Sequence, residues 1–161
     1  MFSGKKTNVD MSTAQRMFSS RDVCRISGIT GRQLQWWDER NIVSPREAGH
    51  RRSYLVAEVL EILAVAELRR KGLSLQRIRR VTRLLRREIT QCLGKSWDGN
   101  SSLYLLTDGH TLHLEQQPAR ILDLLSNATR AIYLVCLSDQ SKRIASYSDS
   151  QRRANEQYRL F

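Results

Sequence analysis

Up to Cys92 the apolar residues recur at helical spacing, and beyond it they change to short, strand-like runs. Met1 to Met17 shows little periodicity and is expected to be a flexible arm. At Ser19 the pattern sharpens. Ser19 and Asp22 stand as S-x-x-D before a stripe of Val23 and Ile26, and Gly28 stops that helix. Thr30 and Gln33, spaced T-x-x-Q, open a second short helix to about Arg40 with Leu34 and Trp37 facing inward. Two short helices joined at Gly28 predict a helix-turn-helix.

Residues 43–54 hold Pro45, Gly49, Arg46, Arg51 and Arg52, which break a helix and favour an exposed basic wing. A long helix from about Val56 to Lys71 carries Val59, Ile62, Leu63, Ala66 and Leu68 and ends at Gly72. Ser74 caps the next, whose Leu75, Ile78, Thr82, Leu85, Ile89 and Cys92 form a coiled-coil-like seam closed by Gly94. Residues 94–102 read as a polar linker and a domain boundary. After it, Leu103 to Thr107 and His110 to Glu115 flank Asp108-Gly109, the dipeptide of a type I′ hairpin. Pro118 starts a helix bearing Ile121, Leu122, Leu124 and Leu125, and Ala131 to Leu137 reads as a strand. Residues 138–161 are too polar to predict more than a tail. The fold class is therefore α+β: a mainly helical winged helix-turn-helix at 18–93, then a small β-β-α-β domain at 103–137.

Charge sharpens this division. The chain has 161 residues and a net charge of +11, with 20 Lys+Arg against 9 Asp+Glu in residues 1–95 and 7 of each in 96–161. A basic module beside a neutral one suits a nucleic-acid binder with an accessory domain, because only phosphate binding needs the positive face. No apolar run approaches the length of a membrane span, and residues 1–17 lack the apolar core of a signal peptide, so the expected location is the cytoplasm and its nucleoid. Cys24, Cys92 and Cys136 are scattered, without disulfide or zinc spacing. His110 and His113 would point to opposite faces of a strand and meet neither Cys92 nor Cys136 at ligand spacing, so no metal and no other cofactor is expected. No motif brings a nucleophile, base and carboxylate together, which argues against an enzyme.

A helix-turn-helix reads DNA by putting the start of its second helix into the major groove. That helix offers Thr30, Arg32, Gln33, Gln35 and Trp36. With Leu34 and Trp37 on the inner face, Trp36 lies roughly 200° of rotation from Leu34 and must look outward, toward DNA or the wing. Arg51 and Arg52, on a loop held by Tyr54, suit a phosphate strand or a minor groove. The arginine row from Arg77 to Arg87 could add backbone contacts or only keep its helix soluble, and beyond Arg80 solubility is expected, since those residues recede along the helix from this face.

The stretch from Phe18 to Leu85 resembles the MerR family of bacterial regulators. The resemblance rests on Gly28-Ile29-Thr30-Gly31-Arg32-Gln33-Leu34-Gln35-Trp36-Trp37-Asp38, on the wing Gly49-His50-Arg51-Arg52-Ser53-Tyr54, and on Leu68 to Ile78. It implies that Arg32, Trp36, Arg51, Arg52 and Tyr54 contact double-stranded DNA, and that a homodimer distorts a promoter for RNA polymerase. Gln35 stands where the family usually has Arg. The long dimerisation helix of such regulators has no counterpart here, so self-association is expected through Leu85 and Ile89 of the seam or Ile132 and Leu134 of the last strand. Residues 1–95 should then fold alone as a monomer. The alternative reading is an architectural, excisionase-like protein that bends DNA with the same residues.

Overall fold

The computed structural model describes residues 16–48, 51–95 and 101–159. Strand β1 (Met17–Ser19) leads into helix α1 (Ser20–Ser27) and helix α2 (Gly31–Glu39), both started by reciprocal caps. The Ser19 hydroxyl accepts from the Asp22 N–H at 3.2 Å while the Asp22 carboxylate accepts from the Ser19 N–H at 2.9 Å. Thr30 and Gln33 repeat this exchange at 3.2 and 3.0 Å. Between the helices Gly28 takes φ +75°, a left-handed conformation that costs glycine little, and its N–H closes α1 on the Cys24 carbonyl.

Strands β2 (Arg46–Ala48) and β3 (Arg51–Leu55) form the wing, with residues 49–50 outside the described residues. β1 adds to it antiparallel in the order β1-β3-β2, pairing Phe18 with Tyr54. Met17 thus belongs to a sheet, not to the expected arm; residues 1–15 lie outside the described residues.

Helix α3 (Val56–Arg70) begins where the Glu58 carboxylate accepts the Leu55 N–H at 2.7 Å. Every residue from Val59 to Ala66 is buried, and Leu68 with them, so α3 is a central helix rather than one with a solvent face. Gly72, at φ +98°, turns the chain into helix α4 (Leu75–Lys95). Its seam packs on α3 of its own chain: Ile78, Val81, Leu85 and Ile89 are all buried. Leu85 and Ile89, expected to dimerise, are therefore consumed by the monomer's core.

A second antiparallel sheet has the order β5-β4-β6, from β4 (Tyr104–Thr107), β5 (Leu112–Glu115) and β6 (Tyr133–Cys136), with helix α5 (Pro118–Ser126) between β5 and β6. The β-β-α-β order is as expected, but the hairpin is not type I′. Thr107 pairs with Leu112, leaving residues 108–111 as the loop, and only Gly109 has positive φ, whereas type I′ needs two such residues. The Asp108 carboxylate organises this loop by accepting the N–H groups of His110 and Thr111 at 2.8 and 2.7 Å.

Leu137, expected to end a strand, and residues 138–159, expected as part of a tail, form the longest described helix, α6 (Leu137–Arg159). Its buried positions are Leu137, Ser138, Gln140, Ile144 and Ser148, a face with too few apolar residues for hydrophobic periodicity to detect. α6 and β6 lie against α3, and one apolar cluster runs from Phe18 through Leu63 and Leu105 to Ile144. The two expected domains share this core. The expected linker is shorter too, since α4 continues to Lys95.

Candidate nucleic-acid interface

Helix α2 sorts its side chains as its caps and periodicity require. Leu34 and Trp37 are buried, and the adjacent Trp36 is 38% exposed, with the Arg40 guanidinium stacked 4.4 Å from the centre of its ring. Thr30, Arg32, Gln33 and Gln35 are exposed. Three of them already have partners at their own helix, Thr30 and Gln33 with each other and Gln35 with Glu39. The Gln33 Oε1 accepts from the Thr30 N–H, so its Nε2 is the end available outward. The Gln35 Nε2 donates to Glu39 Oε1 at 3.0 Å, which leaves its oxygen.

The wing stands beside this helix, tied to it by an ion pair of Arg52 Nη1 and Asp38 Oδ2 at 3.4 Å. Arg51 and Arg52 are exposed. Tyr54, expected at the DNA, is completely buried, and burial pushes its phenol above the ordinary value. Its position follows from pairing: Arg51 and Arg52 lie at the outer end of β3, whereas Tyr54 pairs with buried Phe18 of β1 and anchors the strand.

The structure adds two arginines that sequence reasoning had assigned only to the end of a helix. Arg69 and Arg70 line a shallow cleft of about 440 Å³ together with Gln33, Trp36 and Leu75. Arg70 Nη2 donates to the Ser27 carbonyl at 3.4 Å, and Arg69 Nη1 to the Leu73 carbonyl at 3.0 Å, so both are held beside the helix pair. The run Arg69-Arg70-Lys71 before Gly72 was visible, but its proximity to Trp36 depends on how α3 and α4 cross.

Helix α6 fastens the first helix of the pair. The Tyr147 hydroxyl donates to Asp22 Oδ1 at 2.5 Å, and Arg143 donates to the Ile26 carbonyl. Burial alone would raise the Asp22 carboxyl, but the hydrogen bonds from Tyr147 and Ser19 and the charge of Arg16 leave it below its ordinary value. Asp22 therefore stays ionised while serving both as cap and as anchor for α6. Among the described residues no three His, Cys, Asp or Glu side chains stand together as metal ligands, and no helix is long and apolar enough to cross a membrane.

Comparison with known proteins agrees with this arrangement. The family model described as MerR HTH family regulatory protein matches residues 18–85, from β1 to the middle of α4. An uncharacterized HTH-type transcriptional regulator of Mycobacterium bovis is 33% identical over 107 residues, covering 63% of this chain and 44% of its own length. Uncharacterized HTH-type transcriptional regulators from two strains of Mycobacterium tuberculosis match to the same extent. The chain thus spans less than half the length of the curated relatives it matches. Caps, outward Trp36, arginine-bearing wing and family match coincide on one segment, residues 18–85, which is similar to the MerR helix-turn-helix regulatory proteins.

Proposed function

We propose that the protein is a sequence-specific double-stranded-DNA-binding regulator of transcription that acts as a homodimer, distorting promoter DNA on the bacterial nucleoid where RNA polymerase also binds. The observation that carries this reading is the division of α2: its apolar residues enter the core while Arg32, Gln33 and Trp36 face out beside Arg51 and Arg52. Helix and wing together offer one reading element and one backbone clamp. Arg32 and the Gln33 Nε2 suit base edges, and the wing arginines suit phosphates.

The second copy is assigned to the C-terminal unit. Leu122 and Leu125 of α5 are 65% and 44% exposed, no residue of α5 is buried, and Ile132 and Leu134 remain half-buried. Such a face is costly without a partner. With Leu85 and Ile89 inside the monomer, Leu122 and Leu125 of α5 are the exposed leucines left for pairing among the described residues. This face also lies on the neutral half of the sequence, where two copies of a +11 chain repel least.

Selection of duplexes from a random library, followed by footprinting, tests the proposal. A palindromic consensus, bound by a dimer that Leu122→Glu converts to a monomer in light scattering, is the expected result. Failure to enrich any sequence would overturn specific recognition. Cooperative coverage of direct repeats without a palindrome would favour the architectural, excisionase-like alternative.

A further inference from the structure

A second basic surface lies outside the helix-turn-helix and wing. A cleft of about 960 Å³ opens between α4 and the segment joining α2 to β2. One wall carries Arg79, Arg80, Arg83, Arg86 and Arg87; the other carries Asn41 and Ser44. Among the described residues, no acidic, aromatic or aliphatic side chain lines it.

Three features of the cleft select its occupant. The arginines follow one side of a helix from Arg79 to Arg87, a rise of about 12 Å, a linear charge array rather than a compact cradle. That length matches several phosphates of one strand, which repeat every ~3.4 Å of duplex axis. With no aromatic or aliphatic lining, a nucleoside or drug-like ligand has no surface to stack on, so only a charged backbone is well matched. The array is also anchored. Arg86 Nε lies 3.4 Å from Glu61 Oε2, and Glu61 is buried in α3, only 2% exposed, which fixes one guanidinium at the cleft wall.

The cleft continues the interface already described. Its far wall begins at Asn41, two residues after α2 ends, and leads toward the wing. Its near wall is the same helix whose first residue, Leu75, lines the shallow cleft with Gln33 and Trp36. We propose that the groove between α4 and residues 41–44 is a second, sequence-independent DNA site that holds sugar-phosphate backbone flanking the segment read by α2. This inference rests on the DNA-binding reading above and extends it to the arginines beyond Arg80, which the sequence assigned to solubility.

The test uses the full chain carrying Arg79→Gln, Arg83→Gln and Arg87→Gln together; all three are exposed, Gln suits a helix, and Arg86 stays in place for Glu61. Affinity for the selected duplex and for random duplex is measured by fluorescence anisotropy across salt concentrations, with hydroxyl-radical footprints of the selected site. The triple variant should lower the salt slope by roughly 2–3, weaken both duplexes in the same proportion, and lose backbone protection flanking the selected segment. A control variant, Arg152→Gln, Arg153→Gln and Arg159→Gln on α6, removes equal charge elsewhere and should leave slope and footprint as they are. If the cleft variant keeps the wild-type slope and footprint while Arg51→Ala lowers the slope, the cleft proposal falls and DNA binding by the wing stands. If the wild-type chain binds no duplex, both readings fall. Wild-type DNA binding by the cleft variant, combined with loss of binding to labelled poly-glutamate, would overturn the proposal in favour of an acidic protein segment.

Discussion

Glu61 is a carboxyl group placed where water hardly reaches it, and burial pushes its pKa from an ordinary 4.5 up to about 7 despite the attraction of Arg86. Its Oε1 has no hydrogen-bond partner among the described residues. The folded state therefore holds this proton more tightly than the unfolded chain. Its favourable contribution is complete below about pH 4.5 and declines as pH rises to 7, by on the order of 3 kcal/mol. Glu61→Gln should flatten stability between pH 5 and 8 and unfold at higher denaturant than the parent at pH 8, as urea titrations at both pH values would show. At α2, Arg32→Ala should reduce discrimination between selected and random DNA by about 1–3 kcal/mol. Gln33→Glu separates two roles of one side chain: it keeps an acceptor for the Thr30 N–H but removes the outward donor. It should therefore lose discrimination without losing thermal stability, whereas a loss of stability alone would restrict Gln33 to capping.

At the scale of elements, the wing is tied to the second helix of the pair and α6 to the first. Arg51→Ala and Arg52→Ala should each lower the salt slope of DNA binding by roughly 1, with similar losses on all sequences, because a wing meets backbone. Unchanged slopes in both would remove the wing from the interface. At the first helix, Tyr147→Phe deletes a hydrogen bond to an ionised carboxylate and should cost about 1–2 kcal/mol in denaturant unfolding. These two elements were unequally legible. The wing announced itself through Pro45, Gly49 and its arginines, which are local signals. α6 did not, because its inward face uses Ser138, Gln140, Tyr147 and Ser148, whose value lies in what they touch.

For the whole molecule, the shared core decides what can be removed. Ending the chain at Lys95 strips α6 and β6 from α3, a helix buried on all sides, and takes Leu105, Val135, Leu137 and Ile144 out of the apolar cluster. The fragment should lose most of a typical domain stability of about 5–15 kcal/mol, contrary to the expectation that residues 1–95 fold alone. Circular dichroism during heating would show a broad, non-cooperative transition. A sharp transition near that of the full chain would restore an independent N-terminal domain.

The sequence by itself determined the features that depend on neighbours along the chain. Reciprocal caps at Ser19/Asp22 and Thr30/Gln33, the turn at Gly28, the opposite orientations of Trp36 and Trp37, and the β-β-α-β order all rest on spacings of a few residues, and all are present. Only the tertiary structure decided what each face meets. An apolar seam through Leu85 and Ile89 looks the same whether a second copy or the chain's own α3 covers it, and an arginine row looks the same whether it faces open solvent or a cleft wall. Tyr54 likewise matched a motif position, and the pairing of β3 with β1 turned it inward. Periodicity reports that a surface is apolar or charged; the identity of its partner is a long-range contact, set by how α3, α4 and α6 pack together.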